Sequence, residues 1–256
     1  MRTLLLLFLL IAISFITAKA QSPRIGNYNN IGWYTYTGTL SLTNKWGLHT
    51  EYQWRRNNFV TSWQQSLLRT GINYYANKKL TLRIGYAWAE TYPYGDIPLN
   101  KFGKTFTEHR VYQMATVTDK MGIVDLSHRF MLEQRWVGAF STADITKEDT
   151  WNYMNRLRYM ARVQIPFKKD ATVKFPYAVV YDEIFIGFGK KVGENIFDQN
   201  RIGVLLGYKF SNTINIEAGY LSQIVQLGRE VNGSNVFQYN NGFIVNTVFR
   251  FNLTKE

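Results

Sequence analysis

The chain has no cysteine in 256 residues and three histidines, His49, His109 and His128. That excludes a disulfide framework, a thiolate metal site and a thiol nucleophile, and leaves little from which to build a zinc centre. No cofactor is expected. Proline occurs five times and no low-complexity tract interrupts residues 21–256, so no linker divides them. Beyond Gln21 no apolar run approaches the roughly 20 residues that a spanning helix needs. Acids are scarce beside bases, 18 against 30, for a formal charge of +12. Yet no basic stripe or motif suggests nucleic acid. Mean hydropathy is −0.23 although aromatic residues make up 16% of the chain. The apolar residues are therefore dispersed in a pattern.

They cluster in one place only. Arg2 precedes an apolar run from Leu4 to Ile16, and Ala18-Lys19-Ala20 follows as an A-x-A cleavage site. Residues 1–20 read as a secretory signal peptide, and 21–256 as one exported domain. No cysteine follows the cleavage site, which excludes a lipoprotein anchor.

Elsewhere the period is two. In 80–88, Leu80, Leu82, Ile84, Tyr86 and Trp88 alternate with Thr81, Arg83, Gly85 and Ala87. The same alternation recurs in 46–55, 201–210 and 237–251. Each is a strand with one apolar and one polar face. Strands are expected near 31–41, 46–57, 63–76, 80–92, 107–117, 122–137, 150–165, 173–188, 199–210, 213–227 and 237–251. Many are about twice the usual globular length, and long enough to cross a membrane at a tilt.

The connections alternate between short and long. Thr43-Asn44-Lys45, Asn77-Lys78-Lys79, Thr118-Asp119-Lys120, Ser211-Asn212-Thr213 and the somewhat longer 166–172 are the short set. The long set is 58–62, 93–106, 138–149, 189–198 and 228–236. Outer-membrane barrels have short periplasmic turns and longer outer loops. Trp46 and Trp54 share a face about 26 Å apart along one strand, at ~3.3 Å per residue, which suits aromatic girdles at two interfaces, with Trp33, Trp88, Trp136, Trp151 and Tyr208 as further girdle candidates. The fold class expected is all-β, an antiparallel up-and-down transmembrane barrel. Bacterial barrels have an even strand number. About twelve strands are therefore expected, with Arg24–Asn30 as a short extra one, and ten as the alternative. A soluble exported β-sandwich or a lipocalin-like binder is the competing architecture.

In a barrel the polar faces line the lumen. Glu51, Glu108, Asp125, Glu133 and Glu217 would meet Arg55, Arg83, Arg110, Arg129, Arg135, Arg156, Arg158, Arg162, Arg201, Lys209 and Arg250. The prevalence of Arg over Lys suits enclosed, bidentate pairing. Such a lumen either holds the strands in register or favours anions. Asp182, Glu183 and Asp198 form acidic clusters at strand ends beside the loop 189–198, suited to tying it down or to binding an ion. Adjacent strand residues point to opposite faces, so they are poor catalytic pairs. For a barrel enzyme acting on lipid or envelope substrates, His49 with Glu51 is the candidate pair, but no serine on that strand joins them. Ser127 and His128 are neighbours and diverge, with His128 facing lipid.

Seven segments occur in order along the chain: WGLHTEYQWR (46–55), EHRVYQ (108–113), RFMLEQR (129–135), RLRY (156–159), DEIF (182–185), FDQNR (197–201) and EAGYL (217–221). Together they resemble a family of outer-membrane barrels known as domain of unknown function 2490. The resemblance implies a barrel exported to the outer membrane of a Gram-negative bacterium, with outer-membrane lipid and the barrel assembly machinery as partners. It implies no activity and no active site. Phe251 is followed by Asn-Leu-Thr-Lys-Glu, whereas many outer-membrane barrels end on an aromatic that the assembly machinery reads.

Overall fold

The computed structural model describes residues 24–168, 172–192 and 195–254. The signal-peptide expectation lies outside them. Every regular element is a strand: β1 (Arg24–Ser41), β2 (Trp46–Asn57), β3 (Ser62–Tyr75), β4 (Leu80–Thr91), β5 (Phe106–Met121), β6 (Val124–Ala139), β7 (Thr150–Pro166), β8 (Phe175–Phe188), β9 (Phe197–Lys209), β10 (Ile214–Val231) and β11 (Ser234–Asn252). Each pairs antiparallel with its neighbours in sequence, and β1 closes on β11. Closure leaves no second sheet to cover an apolar face, which rules out the sandwich.

Eleven strands close the barrel among the described residues. The expected extra strand at Arg24–Asn30 is instead the first part of β1, continuous with Ile31–Ser41. In an up-and-down chain the first and eleventh strands run the same way, so the closing pair is parallel, from Arg24↔Asn235 to Ser41↔Asn252. Two connections also differ from expectation. β5 continues through Thr118-Asp119-Lys120 to Met121, and the turn falls at Gly122 and Ile123. The expected long loop 228–236 is a two-residue hairpin turn. Val231 pairs with Ser234 around Asn232 (φ 51) and Gly233 (φ 70). Two positive φ values make the type I′ turn, whose twist matches the strands that it joins.

The alternation orients every strand. On β4, Leu82, Ile84 and Tyr86 are exposed on the outside, while Ala87 and Ala89 are buried within. Outside, aromatics pair toward both ends: Trp46 with Tyr74, and Trp136 with Tyr153. Inside, Glu133 and Tyr112 are fully buried. Tyr112 crosses the lumen wall above Gly85, where a Cβ would lie 2.2 Å from the Thr70 carbonyl oxygen and 2.5 Å from the Tyr112 hydroxyl. The glycine gives the ring its room. A contiguous apolar exterior of this extent belongs in hydrocarbon.

Candidate functional site

The inward faces of β2 to β9 bring most of the expected charges together. Glu133 sits at the centre, taking Arg156 at 2.6 Å, Arg158 at 2.9 Å and Arg110 at 4.0 Å. Arg110 also pairs with Glu108 at 2.7 Å, and Arg135 bonds the same carboxylate. On the β7–β9 side, Glu183 receives Arg158 at 2.7 Å, Arg129 at 2.8 Å and Arg201 at 3.8 Å. Glu217 takes Arg162 at 2.7 Å and the Tyr177 hydroxyl at 3.0 Å. The planar guanidinium suits this sharing, since each fork can serve two carboxylates at once.

The expectations for five residues are corrected. Glu183 is not part of a strand-end cluster; it lies well inside β8 and faces the lumen, 3% exposed. Asp182, beside it, faces outward at mid-strand. Asp198 also turns inward, bonding Arg156 at 2.7 Å and Arg135 at 3.4 Å. A register shift at Phe185/Ile186 breaks the alternation there and gives Asp198 the lumen side. Asp125 stands at the inner mouth, 3.6 Å from Lys120, apart from the central network. Lys209 lies at the same end, 6.0 Å from the Phe175 ring.

Sequence reasoning missed Arg69, buried and bonded to both oxygens of Glu51 at 2.8 and 2.9 Å. The signal was present: Arg69 shares its strand face with Gly71 and Asn73, the polar side of β3. His49 Nε2 lies 3.3 Å from Glu51, but its Nδ1 is buried without a hydrogen-bond partner. Among the described residues, no side-chain hydroxyl bonds that ring. His109 and His128 both face outward, against Trp151 and Tyr159 respectively.

Aromatic rings complete a waist, and Trp33, expected in a girdle, is buried inside it against two arginines. Arg201 lies between Phe185 (4.5 Å) and Trp33 (4.9 Å), and Arg55 also stacks on Trp33, at 3.9 Å. These cation–π contacts hold guanidinium groups across the lumen. On the outer side of the waist is a cavity of about 210 Å³ that reaches Arg55, Glu108, Arg135 and Asp198. On the inner side is one of about 350 Å³ that reaches Arg69, Arg129, Arg162 and Arg250; Arg201 lines both. The outer cavity is capped by the 92–105 connection, which dips into the mouth. Tyr94 donates to Gln238 at 2.7 Å and accepts from Asn240, and Gln238 donates to the Ile97 carbonyl.

The charges do not balance. Arg55, Arg83 and Arg250 have no carboxylate within 4.0 Å among the described residues; they bond Gln65, Asn73 and Asn215 at 2.6, 2.6 and 2.9 Å. Away from the membrane-spanning strands, Glu148 accepts the Thr107 N–H at 2.7 Å and ties its loop to β5. Burial works against ionising that carboxyl, but the backbone N–H groups of Glu148 and Thr107 outweigh it and hold the group below its usual range.

A closed sheet with an apolar exterior, girdle aromatics and a charged, side-chain-filled interior is a transmembrane β-barrel. The family described as "Protein of unknown function (DUF2490)" matches residues 30–233, most of the chain, and this protein belongs to it. Among solved structures, a NanC porin in a rhombohedral crystal form is similar over 80% of this chain and 91% of that one, at 11% identity and a TM-score of 0.43. No curated protein matches.

Proposed function

We propose that this is a non-enzymatic barrel of the Gram-negative outer membrane whose lumen admits small anions and passes them weakly. In this reading residues 1–20 direct export and are removed, the barrel assembly machinery inserts the mature chain, and outer-membrane lipid surrounds it. The observation that carries the anion preference is the set of uncompensated guanidinium groups, Arg55, Arg83 and Arg250, facing neutral partners inside a low-dielectric wall. Such a wall focuses a positive field along the interior and raises the local concentration of anions. The filled waist at Trp33, Phe185 and Arg201 keeps passage slow. It also supports a second reading, in which the ion pairs serve only to hold the barrel together.

The purified full-length mature chain in a planar bilayer, under a KCl gradient, separates them. Small unitary conductance with a reversal potential toward chloride is expected. The double variant Arg55→Gln/Arg250→Gln should lower the anion preference and leave heat-modifiable gel migration intact. Cation preference overturns anion passage. A silent but correctly folded barrel leaves the structural reading. Turnover of a lipid or envelope substrate that disappears in His49→Ala would overturn the non-enzymatic assignment.

A further inference from the structure

At mid-height on the outward face, β8 presents a carboxylate where hydrocarbon should lie. Asp182 is exposed between Val180 and Ile184, both large, apolar and outward. Its partner is Asn200, whose Nδ2 donates at 2.6 Å. Glu90 also faces outward, but it stands at the outer end of β4, with the Tyr92 hydroxyl donating to it at 3.3 Å. On the neighbouring β7, the Tyr159 hydroxyl lies 2.9 Å from His128 Nδ1. Between these two pairs is Ala161, aligned with His128 on one side and Asp182 on the other. Across the barrel the lipid face of β3 carries Leu68 and Ile72. Charge on a lipid-facing strand position is unfavourable, most of all at the midplane, and lipid tails offer the remaining Asp182 lone pairs no donor.

We propose that this patch on β6 to β9 receives a second copy of the same barrel, related by a two-fold axis parallel to the barrel axis and passing beside Ala161. The patch carries its own complement, which is what an isologous contact requires. Strands are ~4.8 Å apart, rise ~3.3 Å per residue and tilt by roughly 45°. Stepping from Ala161 across to Asp182 then raises the level by about 3.4 Å, and stepping two residues along β7 to Tyr159 raises it by about 4.7 Å. Tyr159 and Asp182 therefore stand at nearly one height on adjacent strands. The two-fold axis sets the Tyr159 of each copy against the Asp182 of the other. His128, donating its Nδ1–H to the phenol oxygen, leaves the phenol's own proton for that carboxylate. Ala161 lets the two walls approach. The lumen takes no part, so the outcome is independent of conductance.

A chain without cysteine makes the test direct. Ala161→Cys and, as the opposite-wall control, Ile72→Cys are each oxidised in native membranes, and the mass of the full barrel is measured in mild detergent. A dimer is expected, with disulfide-linked dimer from Ala161→Cys and none from Ile72→Cys. Asp182→Val, which suits lipid better, should retain heat-modifiable folding yet cut the Ala161→Cys cross-link by about a hundredfold or more, since a charge-assisted hydrogen bond is lost in each copy. A monomeric barrel with no cross-link overturns the proposal. So does equal cross-linking at both positions, an unchanged dimer in Asp182→Val, or a heavier adduct containing a different protein.

Discussion

Glu133 has no exposed surface and three arginines around its carboxylate, two of them within 2.9 Å. Replacing it by Gln keeps the shape but leaves guanidinium groups facing a neutral amide. Breaking one partner of a buried pair costs about 3–5 kcal/mol, so Glu133→Gln should lower the urea midpoint of the folded barrel by a margin easily read on a gel-shift assay. An unchanged midpoint would mean that water, not Glu133, compensates those arginines. The pair Lys79–Asp119 is the contrast. It spans 2.7 Å with both side chains more than half exposed, and solvent screens it. Lys79→Ala should leave the same midpoint within error.

At the scale of the strand, facing decides what a substitution does. Ile84 is exposed on the outside of β4, and Thr81 faces the lumen. Ile84→Arg places a cation against hydrocarbon at about 2–4 kcal/mol and should block insertion, whereas Thr81→Arg should assemble; pulse-labelled heat-modifiable product measures both, and equal yields would reverse the facing assignment. That facing was legible because period-two alternation is local. Strand limits came out within a few residues wherever Gly, Asn or Lys punctuated the chain, as at 42–45 and 76–79. They failed at Asn232-Gly233, where the turn signal was present but polar flanks, Arg229 to Asn235, suggested a longer loop. The lumen network was readable in the same way, residue by residue, except where a bulge changes the phase. Asp198 is the case: its inward position follows from the irregularity at Phe185/Ile186, which no alternation reports. Tyr94 was not readable at all. Its partners Gln238 and Asn240 lie 144 and 146 residues away, and nothing in a loop's own sequence says that it folds inward.

For the molecule as a whole, the odd strand count is the consequential fact, because it fixes the direction of the closing seam. An even barrel returns its last strand antiparallel to its first. Here β1 and β11 run together, and the two ends of the described chain stand at opposite ends of the barrel. The alternation itself marked eleven strands; the even-number rule for bacterial barrels and the turn-forming residues Gly26, Asn27, Asn29 and Asn30 argued for dividing Arg24–Asn30 from the first of them, whereas the chain carries them through as one extended strand. The seam makes a sharp prediction. Tyr28 aligns with Tyr239, their rings stacked at 5.0 Å, and Tyr36 aligns with Thr247 further along both strands. In the parallel seam both pairs are neighbours at once. In an antiparallel seam that kept Tyr28 against Tyr239, Tyr36 would move away from Thr247, because the two strands would run in opposite directions. The double variants Tyr28→Cys/Tyr239→Cys and Tyr36→Cys/Thr247→Cys, made in a chain that has no other cysteine, should therefore both form intramolecular cross-links with a short bifunctional reagent in the folded barrel. Cross-linking of the first pair without the second would show a seam of the other sense, and with it an even-stranded barrel completed by another segment of the chain.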